Sequence, residues 1–148
     1  RLQARTLRPM RYLVDTCVWS LALRKKGPAD HPAVKRFSAL LESGDDVVLV
    51  GIVLQEILQA FKARATFRKM VSSLEGFPMV PLERSDYVAA AGLHRTCASA
   101  GVTASTVDCL IAAVCIREKM TLLTVDADFQ RIARLSPLKL ADTAQAIP

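Results

Sequence analysis

Two short segments, YLVDT at residues 12–16 and LLTVDADF at residues 122–129, decide the fold class of this chain. Each contains an apolar run that leads directly to an aspartate, as expected of a parallel strand that is buried on both faces and ends at a polar edge. Similar apolar runs occupy residues 47–50, 79–82 and 138–140. Together with residues 12–14 and 121–125, they predict five strands.

Helical segments fill the intervals between these strands. A proline opens residues 32–43, which stop before Gly44, and a serine and an aspartate open residues 85–100, which stop before Gly101. Further helices are expected at residues 52–64, 66–74, 106–119 and 129–135, and one beginning near Val18. This alternation predicts an α/β fold, a three-layer sandwich with a mainly parallel five-stranded sheet between helices.

The bulk composition is compatible with one domain in the cytoplasm. The chain has 148 residues, of which 51% are hydrophobic and 5% aromatic, so its core must be largely aliphatic. No apolar run approaches the length of a membrane span, and the basic start lacks the apolar centre of a signal peptide. We expect residues 10–148 to form the domain and residues 1–9 to be an extension or a cloning remnant.

The net charge of +6 is concentrated at the start of the chain. Four of the 20 basic residues lie within residues 1–11, which contain no acid, so the remainder carries 16 basic and 14 acidic residues, a charge of +2. A basic surface is a candidate contact for nucleic-acid phosphates, although exposed helix faces also carry such charges. The candidate phosphate contacts are Arg24, Lys25, Lys26, Lys35, Arg36, Lys62, Arg64, Arg68 and Lys69.

The four cysteines, Cys17, Cys97, Cys109 and Cys115, show no C-x-x-C spacing. Free thiols are therefore expected rather than disulfides or zinc ligands. Cys17 is a poor candidate for a catalytic nucleophile, because nothing in the sequence brings His31 or His94 beside it.

Four acidic residues stand where an apolar run ends or a helix begins: Asp15, Glu56, Asp108 and Asp126. Carboxylates that converge at the strand ends of a sheet would repel one another unless a divalent cation neutralised them. Mg²⁺ or Mn²⁺ fits such an all-oxygen site better than Zn²⁺ does. Each acid also has a structural explanation, because Asp15, Asp108, Asp126 and Asp128 could cap helices or shape turns and Glu56 could lie on a helix surface.

The order of these motifs resembles the PIN-domain nucleases, and within them the VapC-type toxins of bacterial toxin–antitoxin pairs. The shared motifs are YLVDT, E-I-L after a valine-rich strand, D-x-x-I-A-A and L-L-T-x-D-x-D-F, spread over residues 10–141. Cys17 departs from the family, which more often has a small polar residue there. The resemblance also implies that the strands ending at Asp15 and Asp126 are neighbours.

The resemblance implies a Mg²⁺- or Mn²⁺-dependent endoribonuclease that cleaves RNA by attack of water and is inhibited by a VapB-like antitoxin. It implies that Asp15 and Asp108 are the main metal ligands and that Glu56 and Asp126 complete the catalytic pocket. Thr16 and Thr124 are candidate contacts to a ligand or to the scissile phosphate, and Asp128 is expected to be mainly structural, at the edge of the site.

A second chain is also expected. Residues 52–61 and 88–93 would carry apolar side chains on more than one helix face, so part of that surface should be covered by a homodimer partner.

Two alternative functions stay open. The chain could be an inactive PIN-like interaction module or another Mg²⁺-dependent phosphoesterase. A haloacid-dehalogenase-type phosphatase is disfavoured, because residue 17, two beyond Asp15, is a cysteine instead of the required aspartate. A response-regulator receiver is disfavoured because the chain lacks its pair of acids.

Overall fold

The structure is a computed structural model that describes residues 9–24, 27 and 29–143. Residues 1–8, most of the expected extension, lie outside this part, as do Lys25 and Lys26 from the list of candidate phosphate contacts. The strands are β1 Arg11–Val14, β2 Asp46–Val48, β3 Thr121–Leu123 and β4 Lys139–Leu140. The helices are α1 Thr16–Leu23, α2 Pro32–Glu42, α3 Gly51–Gln59, α4 Arg64–Leu74, α5 Arg84–Ser99, α6 Thr106–Arg117 and α7 Ala127–Arg134.

The four strands form an all-parallel sheet in the order β2-β1-β3-β4. The chain moves from β1 outward to β2 and then returns to the other side of β1 to form β3. The connection therefore changes direction between β1 and β3, and the carboxyl edge at such a switch point is the usual ligand-binding position in α/β sheets. Residues Val14 and Leu123 are paired there, so the strands that lead to Asp15 and Asp126 are neighbours, as expected.

The prediction of a fifth strand at residues 79–82 was wrong. This segment contributes only one isolated bridge, between Leu49 and Met79. Prolines stand on both sides of that bridge, at positions 78 and 81, and a proline has no N–H to donate to a strand ladder. The bridge is held instead by two backbone hydrogen bonds, Leu49 N to Pro78 O and Val80 N to Leu49 O, both 2.8 Å.

The core lies on the central strands and on α6. In β1 the residues Tyr12, Leu13 and Val14 are buried, every residue of β3 is buried, and six of the twelve residues of α6 are buried. The burial explains why these segments are continuously apolar rather than alternating. All four cysteines are free thiols, as expected, and only Cys17 among them is not fully buried.

An ion-pair network ties α5 to the end of α6. Asp86, which is 1% exposed, accepts hydrogen bonds from Arg117 Nε at 2.7 Å and Arg117 Nη2 at 2.9 Å. Arg117 also donates to Pro81 O and to Glu118. The carboxylate of Asp86 additionally accepts from the backbone N–H of Glu83, which completes a capping box at the start of α5.

Within the described residues, no helix is long and apolar enough to span a membrane.

Candidate metal centre

Asp15 is the buried carboxylate at the centre of the site. It follows β1 directly, and its backbone N–H donates to Leu123 O at 2.9 Å, which ties it to the neighbouring strand. Its Oδ1 accepts from Thr16 N at 2.9 Å, so Asp15 also caps α1. Its Oδ2 accepts from Thr124 Oγ1 at 2.8 Å and from the Cys17 thiol at 3.2 Å. Three donors therefore fix the orientation of this side chain, which is only 8% exposed.

The end of β3 supplies the second part of the site. Thr124 Oγ1 donates to Asp15 and accepts from the backbone N–H of Asp126 at 3.0 Å, so one hydroxyl links the two strand ends. Asp126 then caps α7, because its Oδ1 accepts from Asp128 N at 2.9 Å. The D-x-D spacing places both carboxylates at the start of the same helix, Asp126 as its cap and Asp128 in its first turn. The carboxylate of Asp128 is also paired with Arg131.

Asp108 enters the site from the first turn of α6. Its backbone N–H donates to Ser105 Oγ at 3.0 Å, which makes Ser105 the cap of that helix. The pKa of Asp108 is raised to about 6, mainly by burial; the hydrogen bond with Ser105 lowers it, and the negative charges of Asp126, Asp15 and Asp128 raise it. A raised carboxyl pKa is the expected result of burying an acid beside other acids without a counterion.

Three carboxylates are close enough to share one cation. One oxygen each from Asp108, Asp126 and Asp128 lies within 4.8 Å of the others, and all three side chains are half-buried. Asp15 is outside this group of three but interacts electrostatically with Asp108. The shared edge of the sheet thus gathers four aspartates that come from three different elements.

Glu56 is the more distant member of the set. It lies in the middle of α3 and is half-buried. Burial raises its pKa, and the charge of Asp15 adds to the effect. The sequence motif E-I-L therefore does place an acid within electrostatic range of Asp15.

Two side chains next to Asp15 add polar atoms. Thr16 Oγ1 is buried and has no hydrogen-bond partner among the described residues, so a ligand or water at the site would satisfy it. The pKa of the Cys17 thiol is raised to about 11, mainly by burial and then by the nearby charge of Asp15. A thiol with that pKa is protonated at neutral pH, which agrees with its role as a donor to Asp15 and not with a nucleophilic one.

Three helices begin at this cluster, and each presents the positive end of its dipole to the acids. Asp15 caps α1, Asp126 caps α7, and Asp108 is in the first turn of α6. Negative side chains at helix N-termini are stabilised by about 0.3–1 kcal/mol each when exposed. Capping is compatible with metal binding at Asp126, whose cap uses Oδ1, whereas both oxygens of Asp15 already accept hydrogen bonds.

The donor set fits a hard divalent cation. Carboxylate and hydroxyl oxygens are the ligands that Mg²⁺ and Mn²⁺ prefer. Neither histidine belongs to the cluster: His31 caps α2, and His94 lines a cavity between α5 and α6. The nearest sulfur, Cys17 Sγ, is occupied by its hydrogen bond to Asp15.

The chain matches a known protein family over the region that contains these residues. A family model described as "PIN domain" matches residues 12–135, which cover most of the chain and all five acids. The chain belongs to the PIN-domain family. This PIN domain is also 32% identical over 131 residues to the VapC ribonuclease Mb1587 of Mycobacterium bovis and, at the same level, to Ribonuclease VapC11 of Mycobacterium tuberculosis. Each alignment covers 87% of this chain and 96% of the relative, so the relationship extends to the VapC ribonucleases.

Solved structures share the fold of this PIN domain. VapBC2 from Rickettsia felis, bound to a DNA fragment from its promoter, superposes with a TM-score of 0.71 at 21% identity, over 89% of this chain and 98% of that one. FitAcB from Neisseria gonorrhoeae gives 0.70 at 20% identity, over 90% and 99%. VapC20 from Mycobacterium tuberculosis, described as a sarcin-ricin loop cleaving toxin, gives 0.58 at 22% identity, over 80% and 92%.

Two residues contribute more to this site than their sequence positions indicated. Asp128 was expected to be mainly structural, yet its carboxylate is one of the three that approach within 4.8 Å. The D-x-D spacing at a helix start was the available signal. Cys17 was noted only as a departure from the family pattern, and its hydrogen bond to Asp15 had no signal in the sequence.

Proposed function

We propose that this PIN domain is a Mg²⁺- or Mn²⁺-dependent endoribonuclease and the toxin of a toxin–antitoxin pair. The observation that carries the proposal is the gathering of Asp15, Asp108, Asp126 and Asp128 at the carboxyl edge of β1 and β3. Such a concentration of negative charge is unfavourable in the folded protein by itself, and a bound cation would offset it. Membership among the VapC ribonucleases supports RNA as the substrate.

Each residue has an assigned part in this proposal. Asp15 and Asp108 are the main ligands, Asp126 and Glu56 complete the pocket, and Asp128 contributes a further oxygen at its edge. Thr124 holds Asp15 in place, and the buried hydroxyl of Thr16 contacts the substrate phosphate or its water. When bound, the cation would lower the pKa of a coordinated water and polarise the phosphoryl group. Glu56, whose pKa is raised, is suited to accept the proton that water releases.

A partner protein follows from the same relationship. The solved neighbours include VapBC complexes, in which a toxin chain is paired with a second component. We assign this chain a VapB-like antitoxin that covers the acidic cluster, and a homodimeric state that buries part of the apolar helix surface. Exposed apolar side chains on the described residues include Tyr87 and Val88 on α5, which are 55% and 68% exposed. Cleavage of cellular RNA in the cytoplasm would then arrest translation.

The test is metal-dependent cleavage of total cellular RNA with the cleavage sites mapped. Asp15→Asn and Asp108→Asn should each reduce cleavage by at least about 100-fold, because each removes a ligating charge with little change in volume. Asp30→Asn, an exposed aspartate in a turn outside the site, is the matched control and should cleave like the wild type.

Two outcomes would contradict the proposal. Cleavage that survives exhaustive chelation would indicate a metal-free mechanism. A wild-type protein that cleaves no RNA with either cation, while still binding a partner protein, would instead mark an inactive interaction module.

A further inference from the structure

Helix α4 and the residues before it form an exposed basic surface. Residues 62–69 read KARATFRK, and all eight are exposed. They contain four cations and no acid, and α4 buries only Leu74. We call the side chains of Lys62, Arg64, Phe67, Arg68 and Lys69 the α4 surface.

The α4 surface is the densest unpaired charge on the described part of the chain. None of its four cations takes part in the ion pairs found among the described residues, which involve Arg11, Arg117 and Arg131. Four cations in eight residues repel one another, so the surface is not explained by stability of α4 itself. A bound polyanion would relieve that repulsion.

A groove of about 420 Å³ separates the α4 surface from α3. The ring of Phe67, 39% exposed, forms one wall. The other wall is a single face of α3, because its lining residues are three and four positions apart. These α3 residues are Gly51, Leu54, Gln55, Leu58 and Gln59.

Helix α3 connects this groove to the acidic cluster. Gln55 lines the groove, and Glu56, the next residue, is within electrostatic range of Asp15. Gly51 begins α3 just beyond β2, at the same carboxyl edge of the sheet as the acids. The groove face runs from Gly51 to Gln59, which is about 12 Å at the helical rise of 1.5 Å per residue. A strand held on the α4 surface would therefore lie across one helix from the acids.

We propose that the α4 surface holds a single-stranded segment of the RNA substrate, away from the cleavage site. This inference rests on the proposed function. The four cations contact successive phosphates, and Phe67 stacks on a base in the groove, a combination that is typical of sequence-tolerant binding to single strands. Gln55 and Gln59 offer amide groups to base edges. The combination of unpaired cations and an accessible ring favours a nucleic acid over an apolar peptide as the occupant.

Binding is measured with EDTA present, so that no cleavage occurs, by fluorescence anisotropy of a labelled single-stranded RNA oligonucleotide over a range of salt concentrations. The variant K62Q/R64Q/R68Q/K69Q should bind at least about 10-fold more weakly than the wild type at low salt. Its log–log salt slope should be smaller by up to roughly 3, because each lost phosphate contact on a single strand contributes about 0.7.

A matched control removes four cations from other exposed positions. R84Q/R95Q/R134Q/K139Q changes the net charge by the same amount and leaves α4 intact. It should lower the affinity and the slope much less than the α4 variant does. Equal effects of the two quadruple variants would show that only the overall charge matters and would overturn the proposal.

Phe67→Leu separates stacking from apolar docking. It keeps an apolar side chain in the groove but removes the ring, so RNA binding should weaken by roughly 5- to 100-fold, the range expected for one lost stacking contact, at an unchanged salt slope. Unchanged RNA binding would mean that the groove serves a peptide or nothing, and would contradict the proposal.

The phosphodiester bis(p-nitrophenyl) phosphate distinguishes this proposal from the proposed function. With Mn²⁺ present, the quadruple α4 variant should hydrolyse this small substrate at the wild-type rate, because the substrate does not reach α4. Lack of hydrolysis by the wild type, of this substrate and of RNA alike, would be a failure of the proposed function. An α4 variant that hydrolyses the small substrate and also keeps the wild-type affinity for RNA would contradict this inference alone.

Discussion

Thr124 is the residue on which the arrangement of the site depends most. Its hydroxyl donates to Asp15 and accepts from the backbone of Asp126, so it connects the ends of β1 and β3. A side chain that only accepts or only donates cannot replace it. Because Asp15 is buried, losing this donor would leave one carboxylate oxygen with only the weaker bond from Cys17.

Thr124→Val should therefore lower RNA cleavage by about 10- to 100-fold, the usual effect of removing a group that orients a metal ligand. Thr124→Ser keeps the hydroxyl and should stay within a few-fold of the wild type. The measurement is the cleavage rate as a function of Mn²⁺ concentration, in which the valine variant should need more cation. Equal rates for the valine and serine variants would show that the hydroxyl does not orient Asp15.

Asp108 makes the stability of the metal-free protein depend on pH. Its folded pKa of about 6 is above the ordinary value of 3.8, so the folded state binds the proton more tightly than the unfolded state does. The destabilisation is absent below pH 4, develops as the pH rises towards 6 and is complete above 6. In EDTA, Asp108→Asn should consequently match the wild type near pH 4 and melt at a higher temperature near pH 7.

Mg²⁺ added at pH 7 should remove that difference, because a cation that binds only the folded state stabilises it by about 2.7 kcal/mol at 100 times its dissociation constant. Melting curves with EDTA and with Mg²⁺ check both statements. A wild type that is indifferent to Mg²⁺ at concentrations that support cleavage would argue against the cluster as a metal site.

At the level of helices and strands, the site forms where the N-termini of three helices meet. The N-termini of α1, α6 and α7 meet at the carboxyl edge of β1 and β3, while the opposite end of α6 is secured by the ion pair between Asp86 and Arg117. Helix α6 is thus held at both ends: by its packing near the acids and by Arg117 against the start of α5. The position of Asp108 depends on both.

Asp86→Asn should lower the melting temperature by roughly 5 °C, since it weakens a buried, charge-assisted pair of hydrogen bonds and the cap of α5. Hydrogen bonding to Arg117 holds the pKa of Asp86 below its ordinary value, so this contribution is present above about pH 4 and is lost as the pH falls through the lowered pKa. Asp30→Asn is the control. The melting temperatures of both variants are measured by differential scanning calorimetry at pH 7 and pH 3. An equal drop in the melting temperature of Asp86→Asn at both pH values would exclude the ion pair as the cause.

At the scale of the whole molecule, the main feature is exposed apolar surface that a partner chain would cover. Hydrophobic residues make up 51% of the chain, and exposed large apolar side chains include Val88 and Tyr87 on α5 and Phe67 on α4. Contiguous exposed apolar surface commonly marks a protein–protein contact. The exposed α5 side chains are apolar and suit contact with a second copy of the chain. The α4 surface differs, because it combines an aromatic ring with four cations.

We expect the purified protein to be a homodimer at tens of micromolar. Multi-angle light scattering gives the mass, and Val88→Glu should shift it towards the monomer, because a buried charge at an apolar contact is unfavourable. Arg95→Glu, an exposed change on the same helix, tests whether added charge alone has the same effect. A monodisperse wild-type monomer over that concentration range would refute the dimer.

The apolar pattern of the sequence was sufficient to predict the strands, which are buried. Continuous apolar runs identified β1, β2, β3 and β4 within one or two residues, and proline and glycine positions marked the ends of α2 and α5. The run at residues 79–82 looked the same but failed as a strand, because strand pairing also needs backbone donors that the prolines at 78 and 81 lack. The aspartates likewise stand after strands or at helix starts, whereas Glu56 lies in the middle of α3.

Which side chains meet at the site depends on the packing of the strands and helices. The neighbouring places of β1 and β3 bring Thr124 to Asp15, and the start of α7 brings Asp128 within reach of Asp108, which is 20 positions earlier. The groove between α3 and α4 is also a product of packing. Local sequence controls the conformation of each segment, whereas the distance between side chains on different segments depends on how strands order in the sheet and how helices pack over it.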